Sequence, residues 1–454
     1  MNETVVSVPR VLIAGTGSGC GKTTATLALL TALKNRGLDA GAAKCGPDYI
    51  DPMFHRSVVG APSSNLDPFF FDANTMRFLL AENGAGRDVT VIEGVMGYYD
   101  GLGLTSSRAS AFDAAEKTLS PVILTVNASG ASLSILAQIQ GFLSFVPQSF
   151  IRGAILNNCT GRVYRALAPE IEKRLGIMPM GYLPKMPDCA IESRHLGLVT
   201  AQEIEDLKQK LDRLAEQAEK SLDIDGILAL SKSAPQLAFT PITPRRREPV
   251  RLGVARDRAF CFYYEDSLGL LMKMGADIVT FSPLDDERLP DGLDGLYIGG
   301  GYPELYAKRL SQNVSMRESV CCALRRGLPC IAECGGFMYL TERIADFPMV
   351  GFIKGGCFDS GRLTRFGYVT LEAERGSMLC PKGGRIPAHE FHRYDADDCG
   401  DAFTASKADG RSWPCVHAGP ALYAGFPHLH FYANPEFAEG FYNAMLAEKE
   451  KRHV

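Results

Sequence analysis

GTGSGCGKTT, residues 15–24, decides how the first half of this chain folds. The apolar run VLIA (11–14) precedes it, and a helix is expected to open at about Lys22. Backbone N–H groups of a glycine-rich loop can all face phosphate oxygens, and the N-terminus of the following helix adds partial positive charge. On this reading Gly17, Gly19, Gly21, Lys22, Thr23 and Thr24 contact ATP. Lys22 reaches the β- and γ-phosphates, and the Thr23 hydroxyl coordinates Mg²⁺. The strict pattern GxxxxGK[ST] is not met, because its first glycine position holds Thr16, with Gly15 one residue earlier. A glycine-rich turn with a chance GKT is the bland alternative. The strand before the loop and the helix after it count against that alternative.

Working outward, short apolar runs rich in β-branched residues stand at 11–14, 89–92, 122–126 and 154–156. Separated by helix-length segments, they predict a mainly parallel sheet with helices on both faces. Thr200 and Glu203 form a capping box, after which Leu207, Leu211, Leu214 and Ala218 follow at helical spacing. SAPQLAFTPITPRRREP (233–249) then supplies four prolines and a basic cluster, which reads as a solvated linker. A second α/β pattern starts at 251–255 and continues through 277–281, 295–298 and 330–333. The expected domains are an ATP-binding domain at 1–235, a linker at 236–249 and a second α/β domain at 250–454.

Composition narrows the function. The 454 residues are 46% hydrophobic and 22% charged, enough for two or three cores, and the net charge of −4 offers nothing to nucleic acid. No apolar run is long enough to span a membrane, and the N-terminus lacks an export signal, so a cytoplasmic protein is expected. The thirteen cysteines show no zinc spacing and are expected to be mostly reduced, buried and inert. HEFH (389–392) lacks the HExxH spacing of metalloproteases and reads as packing or substrate contact.

Carboxylates are expected where the strands end, because ligands of open α/β sheets bind at that edge and Mg²⁺ prefers oxygen. KCGPDYIDP (44–52) places Asp48 and Asp51 in a turn after a strand. VIEG (91–94) places Glu93 at a strand end, and Asp100 follows in GVMGYYDG (94–101). Thr23, Asp48 and Glu93 are the candidate metal ligands. Lys44, Asp48, Asp51 and Asp100 are candidates for substrate and for the transferring phosphoryl group. Which of the acids touch metal is left open.

In the second domain LPCIAECGG (328–336) reads as a buried strand ending in a tight turn. Small residues two before and two after Cys334 suit a nucleophile elbow, and the helix N-terminus beyond it is expected to lower the thiol pKa. YIGGGYPE (297–304) is a strand followed by Gly299, Gly300 and Gly301, whose amides are candidates for an oxyanion hole. The base comes from GFPHLHF (425–431), with His428 preferred and His430 as the fallback. Arg362 and Arg365 are candidates for bidentate contact with substrate carboxylates, against the alternative of an exposed loop.

The phosphate loop takes the form seen in dethiobiotin-synthetase-like ATPases. The order of glycine strand, cysteine elbow and late histidine resembles class I glutamine amidotransferases. That class has a glutamate two residues after the histidine. Here the position holds His430, a departure shared by the cobyric and cobyrinic acid synthetase branch, and the orienting partner stays unidentified. Over nearly its full length the chain resembles the cobyrinic acid a,c-diamide synthase family, in GTGSGCGKTT, KCGPDYIDPMFH, VIEGVMGYYDG, AFCFYYEDSLGLL, YIGGGYPELYA, AECGGFMYL, TRFGYV, HEFHRY and HLHF. The resemblance implies amidation of the a and c acetates of cobyrinic acid. ATP makes an acyl phosphate of the carboxylate, and glutamine-derived ammonia displaces phosphate along a shared ammonia path. It implies Mg²⁺ with ATP, three small-molecule substrates and room for a homodimer. A nickel-sirohydrochlorin a,c-diamide synthase would use the same motifs. The cobyric acid branch fits less well, because its histidine motif reads HG. A non-catalytic nucleotide switch is disfavoured by the presence of Lys22, Cys334 and the late histidine. A partition-type ATPase is disfavoured by the acidic balance.

Overall fold

The four runs read as strands in the first half join three others in a single parallel sheet. The structure is a computed structural model that describes residues 3–189 and 207–453. Its strands are β1 (Arg10–Gly15), β2 (Ala40–Cys45), β3 (Ser63–Leu66), β4 (Val89–Glu93), β5 (Val122–Asn127), β6 (Ile151–Asn157) and β7 (Met178–Leu183), in the order β3-β2-β4-β1-β5-β6-β7. Every residue of β1, β2, β3 and β4 is buried, as strands covered by helices on both faces should be. The phosphate loop leads from β1 into α1 (Lys22–Asn35), an Ala- and Leu-rich helix, and α2 (Ile50–Phe54) follows β2. The register matters for chemistry. Glu93 at the end of β4 lies between Ile13 on β1 and Lys44 on β2.

The helix expected after the capping box is α3 (Leu207–Ser221), and its Leu207, Leu211, Leu214 and Ala218 share a core with α1. Thr200 and Glu203 lie outside the described residues. The chain divides into the units Met1–Ile242 and Thr243–Val454. Leu237–Phe239, assigned from sequence to the linker, is a strand paired antiparallel with Thr4–Val6 and belongs to the first unit. Leu237 and Phe239 are buried, which is what draws this stretch out of solvent.

The second unit holds β8 (Val250–Ala255), β9 (Ala276–Phe281), β10 (Gly295–Ile298) and β11 (Cys330–Glu333), followed by α4 (Gly335–Leu340). Then come the long strands β12 (Ile353–Ala373) and β13 (Arg385–Ala396), and the short β14 (His417–Gly419), β15 (Leu422–Gly425) and β16 (His428–Leu429). One sheet runs β9-β8-β10-β11-β15-β14, parallel except for β14 at its edge. A second sheet, mainly antiparallel, is built on the β12–β13 hairpin, with β16 against β13. The α/β pattern of the sequence did not announce this second sheet. Its alternation is broken by register shifts between Asp359, Thr364 and Gly367, and by a left-handed Arg365 at φ 52°. All thirteen cysteines are free. Among the described residues no helix is long and apolar enough to cross a membrane, and no cluster of three His, Cys, Asp or Glu side chains suits a metal.

Candidate active sites

The phosphate loop is shaped from beneath by side chains that require glycine. A Cβ on Gly15 would meet Cys20 Sγ, and one on Gly21, at φ 101°, would meet the Asn157 amide. Asn157 ends β6 and donates from Nδ2 to the Cys20 carbonyl at 3.0 Å, so it pins the loop. Gly17 and Gly19 face open space. Lys22 donates back to the Gly17 carbonyl at 2.9 Å, and burial lowers its pKa. Thr24 continues the first turn of α1.

At the same sheet edge the charged residues converge on Glu93, which is fully buried. Its Oε1 accepts from Thr23 Oγ1 at 2.5 Å and from Lys44 Nζ at 3.0 Å, while Oε2 lies 3.3 Å from His55 Nε2. Lys44 Nζ is also 2.5 Å from Asp51 Oδ2. Burial alone would push the Glu93 carboxyl up. The Lys44 ammonium and the contacts from His55 and Thr23 reverse this and hold it well below the usual carboxylate range. Asp51 is the loser in this arrangement, raised by burial and by the neighbouring Glu93 charge despite Lys44. Lys44 would be lowered by burial, but Asp51, Glu93 and Asp48 together raise it, so it stays an ammonium. Asp48 and Asp100 stand on the adjoining loops, each accepting from a backbone amide, Ile50 N at 3.0 Å and Gly97 N at 2.9 Å. Two residues were missed in the sequence, Asn157 and His55. His55 closes the quoted KCGPDYIDPMFH motif, and its other ring nitrogen meets Ser63 Oγ at 3.0 Å.

In the second unit Cys334 adopts φ 49°, ψ −104°, the strained backbone of an elbow between β11 and α4. Its amide donates to Gly425 O at 2.7 Å, and a Cβ on Gly336 would fall 2.0 Å from Ile298 O. The elbow therefore admits no side chain two residues beyond the cysteine. The thiol pKa is raised, not lowered as the sequence suggested. Burial is the main cause, the carboxylates Glu304, Glu333 and Glu390 add to it, and the Gly335 amide opposes it too weakly. A six-residue helix contributes little field against that burial.

His428 sits on β16, three residues past the carbonyl that binds the Cys334 amide, and its ring packs against Gly300. A Cβ at Gly300 would lie 2.5 Å from His428 Cε1. Its Nδ1 is 3.5 Å from Oε2 of Glu333, the residue preceding Cys334, and Glu333 Oε1 accepts from Leu429 N at 3.0 Å. This buried carboxylate is a candidate for the orienting partner that the sequence left unidentified. The separation is long for a hydrogen bond. His430, the fallback base, is held by other partners. It is fully buried, its Nδ1 accepts from Tyr432 N at 3.3 Å, and its ring lies 4.7 Å from that of Tyr264. Burial lowers its pKa to about 3.

Gly299 also departs from its expected place, because its amide donates to Tyr263 Oη at 2.8 Å. Gly300 and Gly301 remain, paired across a short ladder with Phe262 and Phe260. Arg365 is committed to Asp395, with contacts of 2.7 and 2.9 Å, whereas Arg362 is exposed. In HEFH, His392 and Trp413 both contact Glu390, and His392 stacks on Phe426, so these residues pack rather than ligate.

Comparison with known proteins follows the same division. Residues 11–199 match the family described as CobQ/CobB/MinD/ParA nucleotide binding domain. Residues 251–435 match the CobB/CobQ-like glutamine amidotransferase domain. Fold and sites together define a glutamine-dependent amide ligase that uses a nucleotide. A relative from Caldanaerobacter subterraneus subsp. tengcongensis is 39% identical over 95% of this chain and 97% of its own, and is named cobyrinate a,c-diamide synthase. Relatives of the same name from Listeria innocua and Thermoplasma volcanium are 38% and 37% identical, over 94% and 99% of this chain and 97% and 100% of their own. The chain belongs to the cobyrinate a,c-diamide synthase family.

Proposed function

We propose that this protein amidates the a and c acetate carboxylates of cobyrinic acid, one ATP and one glutamine per amide. Free carboxylate resists attack by ammonia. Transfer of the γ-phosphoryl group to a carboxylate oxygen, with release of ADP, creates an acyl phosphate, and ammonia then displaces inorganic phosphate to give the amide. Lys22 and the loop amides bind the phosphates, and Lys44 neutralises charge on the transferring group. Thr23 and Glu93, 2.5 Å apart, fit a Mg²⁺ held mainly by nucleotide phosphates, with Asp48 nearby. Such an ion would supply charge neutralisation. Asp48, Asp51 and Asp100 orient the acceptor.

On the glutaminase side, His428 takes the Cys334 proton as sulfur attacks the glutamine carboxamide carbon. The oxyanion rests on amides of the 300–301 segment. His428 returns the proton to the departing ammonia, and water then releases glutamate from the thioester. Glu333 positions His428. The raised thiol pKa makes this base necessary, because a solitary Cys334 would stay protonated near neutrality. The free cysteines suit a reducing, cytoplasmic location.

The observation that carries this reading is the presence in one chain of the Lys44–Glu93–Asp51 cluster beside a phosphate loop and of a Cys334 elbow backed by Glu333 and His428. The test is mass spectrometry of cobyrinic acid incubated with the protein, glutamine and Mg-ATP, beside a nickel-sirohydrochlorin reaction. Cys334→Ala is supplied with glutamine or with ammonium. Two amides on cobyrinic acid, with the variant active only on ammonium, are expected. Amides on nickel-sirohydrochlorin alone would move the protein to another macrocycle, and amides on neither would overturn the tetrapyrrole acceptor.

A further inference from the structure

Glu304 is half-buried near Cys334, and among the described residues no cation pairs with it. It ends the run YIGGGYPE, directly after Pro303, whose ring covers the elbow. A Cβ on Gly335 would fall 2.8 Å from Pro303 Cδ and 3.2 Å from Gly301 N. Asp359 and Tyr394, register partners on the β12–β13 hairpin, are near enough to Glu304 for its charge to act on them, as it also does on Cys334. The fully buried glutamates among the described residues have partners. Glu93 meets Lys44 and His55, Glu333 meets His428 and the Leu429 amide, and Glu390 meets His392 and Trp413. Among the described residues no Lys, Arg or His forms an ion pair with Glu304. Burial without a counter-charge raises its carboxyl to about 7. Such a group is stabilised by a cation that arrives with a ligand.

Glutamine brings one. When its carboxamide carbon is at Cys334 Sγ, its α-ammonium is only three methylene or methine carbons away, at the rim of the elbow. We propose that Glu304 binds the α-ammonium of glutamine and selects substrates that carry it. This assignment rests on the glutaminase reading above. It makes Glu304 a specificity residue, distinct from the Cys334–His428–Glu333 chemistry.

The test compares glutamine with glutaramate, which is glutamine lacking its α-amino group, in wild type and Glu304→Gln. The full chain is used, and thioester turnover is read as glutamate or glutarate release. Wild type is expected to prefer glutamine. In the variant the KM for glutamine should rise about tenfold or more, as for loss of a charge-assisted contact, with kcat within about threefold. The preference for glutamine over glutaramate should shrink by the same factor. Equal losses on both substrates would mark a structural residue and overturn the proposal. A wild type indifferent to the α-amino group would do so whether or not the variant folds. Failure of the underlying reading looks different, since wild type would then amidate with ammonium and release no glutamate from glutamine.

Discussion

Around Glu93 an ammonium, a hydroxyl and an imidazole are gathered on one ionised carboxylate. Around Cys334 burial, with nearby carboxylates adding to it, raises the thiol pKa. Both sites stand where parallel strands end, and both use small residues to make a sharp strand-to-helix turn. They differ in when charge is present. Phosphoryl transfer needs preset charge to hold a polyanion, so the first site keeps Lys44 as ammonium and Glu93 as carboxylate. Thioester formation needs a thiolate only while glutamine is bound, and a thiol held neutral avoids idle reactivity.

Glu93→Gln breaks the first half of that comparison most severely. It removes the charge on which Lys44, Thr23 and His55 converge while keeping the shape. Amidation should fall about 10²–10³-fold with glutamine and equally with ammonium. Initial rates of ADP release with each nitrogen source check this. A loss confined to glutamine would mean that Glu93 does not serve the acyl phosphate step.

The two late histidines sharpen the second half. His428→Gln should lower glutamine turnover about 10²–10⁴-fold and leave ammonium-supported amidation within about twofold. His430→Gln should keep kcat within about threefold and lower the melting temperature, because it disturbs a buried cap and ring contact. Parallel steady-state and melting measurements separate them. Next in size comes Glu333→Gln, which retains an oxygen for Leu429 N and removes the charge facing His428. A loss of roughly 10–10² in glutamine kcat, with KM nearly constant, is expected of a group that orients the base and stabilises its protonated form. A change in KM alone would assign Glu333 to packing.

How far these sites were legible depended on whether the signal was local. Lys22, Thr23, Lys44, Glu93 and Cys334 announce themselves because loop, strand and turn chemistry lie within ten residues of each. The β3 strand SSNL was invisible, since neither its side chains nor their spacing suggests burial; only packing between the helices provides it. His55 and Asn157 reach their partners through the sheet order, which no sequence window contains. Glu333 was within reach. A glutamate ending a four-residue buried strand needs a partner, and the late histidine lacked one. The thiol pKa was misread because a helix N-terminus was weighed without its length or the surrounding burial.

The smallest effect separates the two units by acid stability. In the second unit His389 and His430 are both buried, and burial lowers each from the ordinary 6.5 to about 3. Above pH 6.5 neither state binds these protons, so the stability is fully present. As pH falls from 6.5 towards 3 the unfolded chain takes up protons that the folded one refuses, and stability declines by up to about 1.4 kcal/mol per pH unit for each histidine. Among the described residues of the first unit the one buried histidine is His55, which faces Glu93. The single tryptophan, Trp413, lies in the second unit, so its fluorescence reads that unit while far-UV circular dichroism reads both. Urea midpoints by fluorescence should fall between pH 6.5 and 5 more steeply than those of the remaining dichroism amplitude, and His430→Gln should flatten the fluorescence slope by about half. Parallel slopes for the two signals would mean that the buried histidines of the second unit do not govern its loss of stability in acid.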